Sequence, residues 1–69
     1  MKTKRLGFLG AGNMAGALIK GLLHAGVPAN RIIASDVKAE RLSHLHAEHG
    51  IRTTTDNHAL LSEVDVVVR

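Results

Sequence analysis

The 69-residue sequence has no cysteine, tryptophan or tyrosine, and only one proline and one phenylalanine. Without cysteine there is neither a disulfide framework nor a thiolate metal site. Phe8 is the sole aromatic residue, so there is no platform on which single-stranded bases would stack. Nine Lys and Arg outweigh six Asp and Glu, but the basic residues are scattered along the chain, which makes nucleic acid a poor partner. No apolar run approaches the roughly 20 residues that cross a bilayer. The basic start, MKTKR, leads into a short apolar run that ends in a glycine turn, unlike a signal peptide. The expectation is a cytoplasmic protein that engages neither nucleic acid nor membrane.

What is present is the 45% hydrophobic fraction of an ordinary globular chain. At this length it forms at most one small domain, burying about 60% of the surface its unfolded form exposes. RLGFLG, 5–10, has the brevity and apolar character of a buried strand closed by glycine. Beyond it Met14, Leu18 and Leu22 recur every four residues, with Ile19 and Leu23 beside them, as one apolar helical stripe. Gly26 and Pro28 end that helix. RIIAS, 31–35, predicts a second strand. KAERLSHLHAEHG, 38–50, predicts a second helix that packs through Leu42 and Leu45 and stops at Gly50. IRTTT, 51–55, predicts a peripheral third strand. NHALLSEV, 57–64, predicts a short helix capped by Asp56 or Asn57. DVVVR, 65–69, predicts a last buried strand.

The order β-α-β-α-β-α-β implies parallel strands joined by right-handed crossovers. The expected fold class is α/β, part of a Rossmann-type doubly wound sheet with strand order 3-2-1-4. DVVV would then be an apolar edge strand, an aggregation hazard. The expectation is therefore that residues 1–69 are the front of a longer chain.

The junction between the first strand and helix, GAGNMA, is bare of catalytic side chains. A helix N-terminus carries unpaired amides and a partial positive charge, and both attract phosphate. Gly10 permits the tight turn, Gly12 lets a pyrophosphate approach the backbone, and Ala15 keeps the helix close to the strand. A strand before the turn and a helix after it raise G-x-G-x-x-A above a plain tight connection. So does an acid, Asp36, about 20 residues further on at the end of the next strand. Asp36 suits the adenosine ribose hydroxyls, the favoured reading, and is compatible with the N-cap of the second helix. Lys38 and Arg41, just beyond, are placed to meet a 2′-phosphate, so the choice between NAD and NADP stays open. Asn13 and Met14 lie in the first helical turn, and the Met14 side chain is expected in the core. His44, His46 and His49 lie on the second helix, where a solvated face is a better reading than a zinc site. No catalytic constellation is expected within the chain.

The string GFLGAGNMAGALIKGLL, followed by GV, IIASD, ERL, GI, TTDN and DVVV, resembles pyrroline-5-carboxylate reductase along essentially the whole sequence. The resemblance is to the N-terminal part of that family's cofactor-binding domain. It implies NAD(P)H-dependent reduction of 1-pyrroline-5-carboxylate to L-proline, in a homo-oligomeric parent enzyme. It also implies that Gly10, Ala11, Gly12, Asn13 and Met14 form the pyrophosphate loop. Ser35 and Asp36 would face the adenosine ribose or its 2′-phosphate, and Asn57 the adenosine portion. Asp36 departs from the family, which often has a non-acidic residue there. A further departure is Arg69, where family members usually continue from DVVV into a segment under the nicotinamide. The substrate site and the C-terminal helical domain are expected outside this chain. Three other readings share the residues: a non-catalytic nucleotide-sensing module, a fragment of an S-adenosylmethionine-dependent methyltransferase, and an excised or engineered half-domain.

Overall fold

Short apolar segments alternate with amphipathic ones, and the folded chain follows that alternation. The computed structural model describes residues 4–68. β1 (Leu6–Leu9) leads into α1 (Asn13–His24), then a 3-10 turn (Ala29–Arg31) and β2 (Ile32–Ser35). α2 (Ala39–His49), β3 (Arg52–Thr54), α3 (Asn57–Glu63) and β4 (Val66–Val68) complete it. All strand pairs are parallel, in the order β3-β2-β1-β4. Leu6 stands opposite Ile32 on one side and Val66 on the other. The expected α/β class and strand order are those observed; the 3-10 turn before β2 is an addition.

Successive strand residues point to opposite faces, and different helices cover the two faces. Leu6 and Phe8 of β1 and Ile32 and Ala34 of β2 share one core with Ile19, Leu42, Leu45 and Ile51. Full burial of a large aliphatic side chain contributes about 1.5–3 kcal/mol, so this face carries most of the stability. On the opposite face Gly7 lies against Leu60 and Val64, at the end of α3. α1 and α2 therefore cover one face and α3 the other, as right-handed crossovers dictate. Gly26 follows α1 and Gly50 closes α2, both with positive φ, as helix-terminating glycines do.

Two packing expectations are corrected. Met14 is 82% exposed and Leu18 49% exposed, so Met14 is not a core residue and the stripe is misplaced. The packed face runs through Ala15, Ile19, Leu22 and Leu23, the i, i+4, i+7, i+8 pattern. Met14 sits about 100° round the helix from Ala15, which turns it to solvent. β4 is not a buried strand either. Val66 and Val67 are 38% and 39% exposed, because among the described residues β4 has a partner on one edge only. Arg69, expected in that strand, lies outside the described residues.

Candidate functional site

Between the end of β1 and the start of α1 the chain reverses in three residues. Gly10 has φ 108°, a conformation that a side chain would strain. Its N–H donates to the Ser35 carbonyl at 2.8 Å, which ties the turn to the end of β2. Gly12 precedes α1 in an extended conformation, and no side chain caps the helix. A β-carbon on Gly12 would meet no protein atom within 4 Å. Its bareness therefore serves no internal packing and leaves open space before the helix. The first helical bond runs from Gly16 N–H to the Gly12 carbonyl. The amides of Gly12, Asn13, Met14 and Ala15 thus have no helical acceptor, and they sit at the positive end of the α1 dipole. Backbone of this kind receives an anion.

The Ala11 amide is turned elsewhere. It donates to Asp36 Oδ2 at 2.9 Å across 25 positions of sequence, while Asp36 Oδ1 accepts the Lys38 N–H at 2.9 Å. Arg41 Nη1 lies 3.5 Å from Oδ2, with the Asp36 side chain 8% exposed. The Lys38 amide first, then the Ala11 amide and the Arg41 charge, hold the Asp36 carboxyl below its ordinary value against the opposing pull of desolvation. Asp36 does not cap α2: Lys38 is the boundary residue, without a side-chain cap.

Ser35, fully buried, donates its hydroxyl hydrogen to Asn57 Oδ1 at 2.6 Å. Asn57 is the first residue of α3 and does not cap it. The cap is Asp56, whose carboxylate accepts the amides of His58 and Ala59. Asn57 is thereby free for a contact across the end of the sheet, with its amide nitrogen left as a donor.

The loop and these side chains border recesses at this end of the sheet. Leu9, Gly10, Ser35, Asp36, Val37 and Asn57 line one of about 300 Å³ at the carboxyl ends of β1 and β2, where open α/β sheets bind ligands. Ala11, Gly12, Asn13, Glu40, Arg41 and His44 line another of about 350 Å³. The Asp36–Arg41 pair contributes one residue to each. So Gly10, Ser35, Asp36 and Asn57 are brought together, Ala11, Gly12 and Asn13 adjoin them, and the Met14 side chain borders neither. Val37, 88% exposed at the rim of the first recess, escaped the sequence reading. Its only signal is an apolar residue directly after the acid, in a loop.

The histidines of α2 are not one uniformly solvated face. His44 Nε2 lies 3.0 Å from Glu48 Oε1, and His46 Nδ1 is 3.0 Å from the Ile51 carbonyl. The His49 side chain, only 14% exposed, lies 3.7 Å from Glu48, because it lines the groove between α1 and α2. Among the described residues no three His, Cys, Asp or Glu side chains are grouped to hold a metal. No helix there is long and apolar enough to cross a membrane.

Comparison with known proteins gives consistent results. The family model described as "NADP oxidoreductase coenzyme F420-dependent" matches residues 5–69. A pyrroline-5-carboxylate reductase of Vibrio alginolyticus is 44% identical over 68 residues, 99% of this chain and 25% of that protein. The enzyme of the same name from Pseudomonas aeruginosa is 46% identical over 68 residues, again 99% of this chain and 25% of that protein. The solved structure of a pyrroline-5-carboxylate reductase from Coxiella burnetii superposes with a TM-score of 0.89 at 34% identity, covering 94% of this chain and 24% of that one. The chain thus spans about a quarter of the length of these relatives. Neither the methyltransferase nor the sensing-module reading is favoured by these likenesses.

Proposed function

Since the chain belongs to the NADP oxidoreductase, coenzyme F420-dependent family, we propose that it forms the ADP-binding half of the NAD(P)H site in an enzyme reducing 1-pyrroline-5-carboxylate to L-proline. The observation that carries this reading is the uncapped N-terminus of α1, open in front of Gly12, with an anchored carboxylate one strand away. The names of the relatives supply the reaction. When bound, the nicotinamide provides the hydride for the imine carbon, and the protein's task is to position the two.

The residues divide that task. Gly10 makes the turn, and the amides of Gly12, Asn13 and Met14 take the pyrophosphate. Ala11 holds the loop in place. Asp36 accepts from the adenosine ribose, while Ser35 orients Asn57 toward the adenosine portion. Val37 offers an apolar edge to the base. Asp36 suits a free 2′-hydroxyl, and Arg41, half exposed beside it, suits a 2′-phosphate that the same carboxylate repels, so the site admits NAD and NADP with these two residues opposed. No residue of this chain has a catalytic role. Substrate binding and self-association belong to a helical C-terminal domain of the parent enzyme, a homo-oligomer of the cytoplasm.

Titration of the chain with NADP, NAD and S-adenosylmethionine, read by amide chemical shifts, tests the reading. Either dinucleotide shifts Gly12 and Asn13 at high micromolar to millimolar concentration, on the order expected when part of the contact surface binds alone. A Gly12 resonance that neither dinucleotide moves overturns it. A shift with S-adenosylmethionine alone favours the methyltransferase reading.

A further inference from the structure

The contacts of Asp36 go beyond what a ribose ligand requires. β1 and β2 run parallel to the pair Leu9 and Ser35, after which the Gly10 amide takes the Ser35 carbonyl. At the next position Ala11 is 7% exposed, and its part-buried amide turns to a side-chain acceptor. The Asp36 carboxylate supplies it at 2.9 Å and so extends the ladder by one bond. The carboxylate is itself fixed from the other side by the Lys38 amide, with Arg41 balancing its charge.

We propose that Asp36 is a positioning residue of the phosphate loop: by holding the Ala11 amide inward, it sets the neighbouring amides of Gly12 and Asn13 outward for a diphosphate. Ala11 stands between Gly10 and Gly12, two residues with wide conformational freedom. An unanchored loop of this composition would have to be ordered by its ligand, at a cost in affinity. The anchored loop is ordered beforehand. This inference rests on the proposed cofactor site, since it assigns the loop a diphosphate.

Asp36→Asn and Asp36→Ala provide the test, because both remove the charge and only the first keeps an oxygen that can accept from Ala11. The probe is inorganic pyrophosphate, which has no ribose to contact residue 36. Asp36→Asn is expected to bind it about five- to tenfold more tightly than Asp36→Ala, the worth of one buried acceptor. In the ligand-free chain the Ala11 amide should stay protected from hydrogen exchange in Asp36→Asn and lose protection in Asp36→Ala. Equal pyrophosphate affinity of the two variants overturns the proposal, whatever the Ala11 protection. Should either variant fail to fold, the unmutated chain answers. Its Ala11 amide proton is expected to move upfield as the Asp36 carboxyl carbon titrates, with one shared midpoint. Arg41 is the charged group in contact with that carboxylate, and Lys38 reaches it through its main-chain amide. An Ala11 resonance that ignores the titration overturns the proposal. These ligand-free readouts stand apart from the dinucleotide titration, so loss of one reading is distinguishable from loss of the other.

Discussion

Gly7 and Leu60 are in such close contact that a β-carbon on Gly7 would stand 2.7 Å from Leu60 Cδ2, and 2.9 Å from Val64 Cγ2. α3 rests on the sheet through this missing side chain. Leu60 is fully buried and cannot swing away without opening a void. Gly7→Ala is expected to destabilise the chain by about 1–3 kcal/mol, the usual cost of overpacking a core. Urea unfolding checks it. In a Leu60→Ala background the penalty should shrink, because residues in contact couple. An unchanged penalty would place the strain elsewhere.

Gly12 and Gly10 are predicted to respond oppositely to substitution, although both belong to one motif. Gly12 has ordinary dihedral angles and empty space where a side chain would grow. Gly12→Val should therefore cost about 1 kcal/mol, the usual size of an N-cap exchange, while abolishing the dinucleotide-induced shifts at Asn13. Gly10 has φ 108°, so Gly10→Ala should cost about 1–3 kcal/mol from backbone strain. Thermal or urea unfolding of both variants, beside one NADP titration, separates the roles. A Gly12→Val chain that still binds would move the phosphate away from this turn.

Alternation of apolar strands with amphipathic helices was enough to read the element order, the parallel pairing and β1 at the centre. GAGNMA and an acid after the second strand are enough to place Gly10 and Asp36 together at the carboxyl ends of β1 and β2. Other features leave no periodic trace. Gly7 looks like any glycine in an apolar tetrad until α3 is placed over it, and α3 is positioned by tertiary contacts. Residues four apart suggest a stripe that puts Met14 in the core, whereas the sheet selects the face through Ala15 and Ile19. That assignment is testable: Met14→Gln should change stability by less than about 0.5 kcal/mol, and Ile19→Ala should cost about 2–5 kcal/mol. Equal costs would restore Met14 to the core. The Asp36–Ala11 bond joins positions 25 apart, and no local pattern announces it.

Acid should weaken the fold through Asp36. The carboxyl titrates below its ordinary value of 3.8, chiefly because the Lys38 and Ala11 amides favour its charged form. An acid whose folded value is depressed contributes stability that is fully present above the unfolded value. That contribution is lost as pH falls through the folded value. The urea midpoint of the native chain should therefore drop more steeply than that of Asp36→Asn between about pH 5 and about pH 2. Parallel pH profiles would mean that Asp36 is equally free to ionise in the unfolded chain.

Asp36 and Arg41 together should govern cofactor choice. The carboxylate repels a 2′-phosphate and also occupies Arg41, 3.5 Å away. Asp36→Ser removes the repulsion and releases the guanidinium, whose planar fork suits phosphate oxygens. The ratio of NADP to NAD affinity is expected to rise about tenfold, the worth of one charge-assisted hydrogen bond. Both absolute affinities should fall, because serine is too short to reach the Ala11 amide and the loop loses its anchor. Arg41→Ala in the same background should reverse the gain for NADP and leave NAD unaffected. Isothermal titration of the two dinucleotides against the native chain and the two variants measures this. A ratio that stays level through the series would exclude both residues from the choice.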